Sequence, residues 1–333
     1  MGDVPTVTTA AYITGHGSPD AIRVGELPVP EPGPTDVIVR TEALAVNHVD
    51  AFVRSGSYRT HTPFPFVIGR DLVGTVAARG AGVAEFRAGD RVWCNSLGHA
   101  GRQGSFARYA LVPVERLYRL PDAADPGAAV AVLHTAATAH IGLFREARLR
   151  AGETVVVTGA AGGVGSALVQ LASFAGAKVV ATASGRDAEW CRSLGAHTVI
   201  DHHDPQAMDR VGEAVPEGAA IFWDNTGRND IEAALPVLAD GARIIVMSGP
   251  GSRPILPVGE IYTRDVSVHG FVISKASVAD LRSAAATINA LLAADRLHAR
   301  IGTTLPLTRA ADAHRLQETR GPQRPRGRIV VLP

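Results

Sequence analysis

The chain has 333 residues, 46 % of them hydrophobic and 20 % charged, with 33 basic against 32 acidic side chains and a formal net charge of +1. That length suits two domains, the apolar content excludes intrinsic disorder, and the balanced charge excludes a field drawing the protein onto nucleic acid or anionic lipid. Two cysteines, Cys94 and Cys191, are too few for a disulfide framework or a four-thiolate zinc site.

In chain order, the opening Met1-Gly2-Asp3-Val4-Pro5 has neither a basic nor an apolar leader segment, and a cytoplasmic protein is expected. Short β-branched runs at 37–40, 73–76 and 91–93 predict strands, separated by turn-forming stretches at 28–34 and 88–90. Such punctuation predicts a partly closed, β-rich domain. From about residue 127 the texture changes: an Ala-rich helix is predicted over 127–144, and strands and helices then alternate. The apolar runs fall at 154–158, 178–182, 199–200, 220–223, 243–247 and 266–271, with helical spacing over 164–175. This pattern predicts an α/β fold with a doubly wound parallel sheet. A helix over 278–293, a strand near Leu305, a helix over 309–318 and a last strand over 328–332 follow. No run reaches the roughly eighteen consecutive apolar residues of a membrane-spanning helix, and no solenoid repeat is visible.

The most informative segment is Thr158-Gly159-Ala160-Ala161-Gly162-Gly163-Val164-Gly165, which follows a buried strand and opens a helix. Gly162 would let backbone approach a pyrophosphate, Gly165 would permit close helix–strand packing, and the N–H groups of Ala161, Gly163 and Val164 stand where phosphates are held. Ala160 replaces the first glycine of the strict dinucleotide fingerprint. About 20 residues on, where an NAD site places a carboxylate for the ribose, the chain has Ser184-Gly185-Arg186. Ser184 and Arg186 suit a 2′-phosphate, so NADPH is the expected cofactor, with Asp187 as a competitor for the arginine. The short-chain dehydrogenase pattern, Tyr four residues before Lys, is absent: Phe174 precedes Lys178 and Phe271 precedes Lys275 at that spacing.

These features, with the stretch from Asn47 to Gly56, Gly69-Arg70-Asp71, Ala88-Gly89-Asp90-Arg91-Val92, Gly104-Ser105-Phe106-Ala107, Thr138-Ala139 and Gly327-Arg328-Ile329-Val330, carry a wider resemblance. The chain resembles the zinc-independent quinone oxidoreductase branch of the medium-chain dehydrogenase/reductase superfamily. The resemblance implies a GroES-like catalytic domain over 1–128, completed by 295–333, and a Rossmann NADPH-binding domain over 129–294, with a cleft where they meet. Zinc-dependent relatives would have a cysteine at Asn47, a histidine at Arg70 and a further cysteine at His134, so no metal is expected. The histidines at 197, 202 and 203 are expected at the surface or beside the adenine.

Without a Lewis acid, the expected substrate is one that accepts hydride readily, a quinone or an activated C=C bond. By resemblance Asn47 and Thr138 lie near the nicotinamide, while Phe52 replaces a tyrosine sometimes proposed as proton donor and leaves Tyr58 as a candidate. Further cofactor contacts are implied at Asn225, Thr226, Ser248, Gly249, Phe271, Val272 and His202, and from one of Arg320, Arg324 and Arg328. An enoyl or ketone reductase of a biosynthetic pathway, and a nucleotide-binding protein with weak or lost catalysis, are the alternatives. The strand at 266–271 would be a sheet edge, and a homodimer is expected.

Overall fold

The computed structural model describes residues 4–319 and 321–333. Two compact units are present, one running through His134 and including Ser277–Pro333, the other Thr135–Ala276.

The first unit is built around one long strand, Asp36–Val46, whose alternating Val37, Val39, Leu44 and Val46 enter the core. It pairs antiparallel with Asp71–Arg79, Tyr109–Pro113 and Arg328–Leu332. The last of these also pairs in parallel with Ile301–Pro306, so residues 328–332 complete this sheet. A smaller sheet of Val7–Ile13, Arg23–Pro28 and Phe66–Val67 lies in the same unit.

The helix Val278–Ala293 belongs here as well, which places the boundary at 277 and not near 295. Its start is set by a capping box between Ser277 and Asp280. Asn289 then ties it to the β-rich unit, accepting from Trp93 Nε1 at 2.9 Å and donating to Arg119 O at 2.9 Å. The other boundary falls at 134, inside the Ala-rich helix, and not at 128.

The second unit holds six parallel strands in the order Thr198–Asp201, Lys178–Ala183, Thr154–Thr158, Ala219–Asp224, Leu238–Val246 and Ser267–Gly270. Counted along the chain this is 3-2-1-4-5-6, the doubly wound arrangement whose crevice lies at the carboxyl ends of the first and fourth strands. Val155, Val156 and Val157 of the first strand are fully buried, as expected of a strand covered on both faces.

One reading of the sequence needs correction. The helix Pro126–His140 continues through π-helical turns over Ile141–Glu146, and this 21-residue stretch is long and apolar enough to cross a membrane. Counting uninterrupted apolar residues misses it, because scattered polar residues break a run that is apolar on average. Its most apolar window is 83 % buried within the protein, as a core helix is. Gly142 in the π-helical segment is required by packing, since a Cβ there would stand 1.9 Å from the Trp223 ring.

Candidate functional site

In the parallel-sheet unit, the glycine loop follows Thr154–Thr158 and leads into the helix Gly163–Phe174 with Gly162 as its N-cap. Gly159 adopts φ +66°, a left-handed conformation that turns the chain off the strand. A Cβ on Gly165 would stand 2.2 Å from Gly159 O and under 3 Å from the Ala160 backbone, so the helix and loop approach as closely as glycine allows. The Gly162 cap is without a side-chain hydrogen bond, and the first-turn N–H groups at 163–165 have no intrahelical acceptor. On the facing loop Asn225 donates to Thr158 O at 3.0 Å and leaves its own Oδ1 without a partner. A bare, glycine-lined helix start fits a dinucleotide pyrophosphate, and the unmet Asn225 Oδ1, an acceptor, suits a ribose hydroxyl beside it.

Around this loop the carboxyl ends of neighbouring strands are tightly organised. Buried Asp224 accepts from Thr158 Oγ1 at 3.0 Å, from the Thr226 N–H at 2.6 Å and from Thr226 Oγ1 at 2.7 Å. Gly227 and Gly249 are in backbone contact, both with positive φ, and Ser248 shares that conformation at φ +63°. The structure therefore gathers 159–165, Asn225, Thr226, Ser248 and Gly249 at the carboxyl ends of the inner strands. Phe271 packs edge-on to Trp223 at 5.9 Å, and half-buried Val272 follows it. Thr138 is buried on the long helix.

Ser184 follows the second strand and begins the short 3₁₀ turn Gly185–Asp187. Arg186 is exposed, and its Nε lies 3.9 Å from Asp187 Oδ2. A Cβ on Gly185 would meet Asp201 Oδ2 at 2.7 Å, which brings exposed His202 and His203 beside this turn. Asp201 accepts from the His203 N–H at 3.0 Å and lies 2.8 Å from its ring, and the two imidazole centroids are 4.1 Å apart with the rings tilted by 32°. His197 is separate, with Nδ1 accepting from the Val179 N–H at 3.2 Å.

The β-rich unit contains a second cluster. Asn47, half-in at the start of the helix His48–Ser55, is buried and donates from Nδ2 to Asp71 Oδ2 at 2.9 Å. Its Oδ1 accepts from Arg328 Nη2 at 2.6 Å, and Arg328 Nε donates to Ala131 O at 3.0 Å. Asp50 Oδ2 accepts from the Asn47 N–H at 2.7 Å, while Asp50 Oδ1 lies 3.8 Å from Arg70 Nε. His134 Nδ1 lies 3.3 Å from Asn95 O and 3.6 Å from Asp71 Oδ1. Burial pushes the Asp50 carboxyl up to about 6 and Asp71 well above the usual carboxylate range, against the pull of the nearby guanidinium groups and amide. Burial, reinforced by the Arg70 charge, pushes His134 down to about 3, so its ring is neutral.

This donor set does not fit a divalent metal. Its one imidazole stands beside a fixed guanidinium, the Asn47 oxygen already faces another, and the Asp50 and Asp71 carboxyls face those same two cations, which oppose a further positive ion. Asp50, Asp71 and Asn95 are the members that sequence reasoning missed, because burial of an acid or amide leaves no mark in a single sequence. Among the three arginines considered, Arg328 enters this cluster and Arg324 reaches His48 Nε2 at 3.2 Å, while Arg320 lies outside the described residues. Phe52 is 37 % exposed, and half-buried Tyr58 donates its N–H to Phe52 O at 3.0 Å.

Comparison with known proteins follows the same division. The profile of the alcohol dehydrogenase GroES-like domain matches residues 33–122, and that described as zinc-binding dehydrogenase matches 163–290. Positions 47, 70 and 134 all lie outside the second match. The quinone oxidoreductase of Rattus norvegicus is 31 % identical over 310 residues, 92 % of each chain. Among solved structures, an NAD-dependent alcohol dehydrogenase superposes with a TM-score of 0.87 at 32 % identity, over 98 % of this chain and 99 % of the other. A mycobacterial protein complexed with NADPH superposes with a TM-score of 0.83 at 28 % identity, over 98 % of this chain and all (100 %) of the other.

Proposed function

The chain belongs to the medium-chain dehydrogenase/reductase superfamily, in its quinone oxidoreductase branch, and on that premise we propose that it reduces a quinone or a conjugated enone with NADPH and without a metal. The observation that carries the reading is the buried network of Asn47, Asp50, Arg70, Asp71, His134 and Arg328, whose guanidinium groups replace a metal's positive charge. Bound dihydronicotinamide supplies the hydride. The glycine loop holds its pyrophosphate, and Asn225, Thr226, Ser248 and Gly249 line its path across the carboxyl ends of the strands. Thr138, Phe271 and Val272 serve the nicotinamide end, and His202 the adenosine end.

A panel of quinones, enones and enoyl thioesters, followed by loss of NADPH absorbance with and without chelator, tests this. Steady turnover of a quinone or enone, unaffected by chelation, is expected. Turnover that chelation abolishes and Zn²⁺ restores, or inertness towards every member, overturns it. Preference for enoyl thioesters identifies a biosynthetic reductase instead.

Cofactor choice rests on Ser184 and Arg186. A hydrogen bond to a charged group contributes roughly 1.5–3 kcal/mol, with the lower part of that range suited to an exposed arginine. NADPH is therefore expected to bind at least about tenfold more tightly than NADH. Arg186→Ala should weaken NADPH and leave NADH unchanged in side-by-side titrations; an unaltered ratio sinks this assignment.

We also propose a homodimer. The edge strand Ser267–Gly270 lies in a unit that exposes Ile255, Leu256, Val258 and Tyr262, an apolar group suited to a second copy. Light scattering at micromolar concentration should return twice the chain mass, and a monomer's mass refutes the assembly.

A further inference from the structure

The buried arginines of this protein differ in one respect. Arg54 donates to Gly17 O and Glu318 while its Nε is unmet, and Arg328 donates to Ala131 O and Asn47, so each makes two side-chain bonds where Arg70 makes none among the described residues. Arg70 is only 1 % exposed, yet neither its Nε nor its Nη2 has a hydrogen-bond partner. Its nearest carboxylate oxygen, Asp50 Oδ1, is 3.8 Å away and is itself without a hydrogen bond. A guanidinium kept for structure makes its fork of bonds, and buried donors are nearly always met. Two unmet donors on a buried cation mark a place for an oxygen that the protein does not supply.

The surroundings indicate which oxygen. Gly69, at φ +93°, turns the chain immediately before Arg70, and a Cβ there would stand 2.1 Å from the Phe106 ring, so the backbone beneath the guanidinium is held rigidly. Asp50, anchored through its other oxygen to the Asn47 N–H at 2.7 Å, keeps the cation in place. Half-buried Tyr58 lies within electrostatic reach of Arg70. A dry, fixed cation of this kind stabilises charge that appears during a reaction far better than solvated charge does.

We propose that Arg70 is a catalytic electrophile, its Nε and Nη2 N–H groups donating to the acceptor oxygen that becomes negative as hydride arrives. The inference rests on the reading of the protein as a hydride-transferring reductase. With an enone, hydride bonds to the β-carbon, the C=C pair shifts to form the new C=C, and the carbonyl π pair settles on oxygen as an enolate. With a quinone the product is the hydroquinone monoanion. In both cases a proton from water completes the reduction, and Arg70 keeps its own protons throughout.

The test uses 4-nitrophenol, whose phenolate has its own absorption band and imitates the oxyanion. Bound to the native protein, the probe should ionise at a pH at least about one unit below that of the free phenol. In Arg70→Met that shift should vanish and kcat with 1,4-naphthoquinone should fall about 10²–10³-fold, with NADPH affinity retained. Should the methionine variant not fold, Arg70→Lys carries the test: a compact ammonium cannot present the fork, and kcat should fall at least about tenfold. A folded variant with native kcat, or with the native probe shift, overturns the proposal. A native enzyme that is inert towards every acceptor overturns the function reading, and the probe still decides whether Arg70 meets an oxyanion.

Discussion

Gly165→Val should abolish tight NADPH binding in a protein that still folds. The added Cβ would meet Gly159 O at 2.2 Å and the Ala160 Cα and carbonyl carbon at 2.7 and 2.9 Å, all backbone atoms. The loop must therefore lift from the helix start, and the pyrophosphate loses its backbone donors. Two such charge-assisted bonds are worth about 3–6 kcal/mol together, or roughly 10²–10⁴ in affinity. Fluorescence titration with NADPH measures this directly. A folded variant that binds within a few-fold of the native protein would contradict the assignment of the loop.

The second large effect is on stability. Arg328→Met should destabilise the first unit by about 3–5 kcal/mol, the range for removing one partner from a buried charged network. Its guanidinium satisfies Ala131 O and Asn47 Oδ1, and its charge faces buried Asp50 and Asp71. Methionine fills much of the volume but leaves those oxygens unmet and the carboxyls with less compensating charge. Urea unfolding followed by circular dichroism gives the change. A loss below about 1 kcal/mol would mean that the network tolerates the cation's removal, in conflict with its buried hydrogen bonds.

These two positions also show what a sequence displays and what it conceals. Gly165 was legible because its role is local: a strand, a tight turn and a helix start lie within a dozen residues. The alternating strands and helices were legible for the same reason. Arg328 was visible only as one of three nearby arginines, because its partners Asn47 and Ala131 lie 281 and 197 positions away. The same limit misplaced the helix Val278–Ala293, whose amphipathic pattern does not say which unit it packs on. That choice is made by the Asn289 bonds to Trp93 and Arg119, 196 and 170 positions distant. Asp50 and Asp71 carry no local sign of burial either, since an acidic residue beside an apolar run reads as solvated until its neighbours are known.

The pairing of Arg328–Leu332 with Asp36–Val46 has a consequence for how the protein is made. The parallel-sheet unit is continuous in the chain, so on a ribosome it has every strand it needs once Ala276 has emerged. The β-rich unit begins first and finishes last: until residues 328–332 emerge, the edge of its longest strand that will receive them remains open. An open, apolar edge of this kind recruits other strands. The nascent chain is therefore most exposed to aggregation while its second unit is being synthesised, and truncation before Arg328 would make that interval permanent.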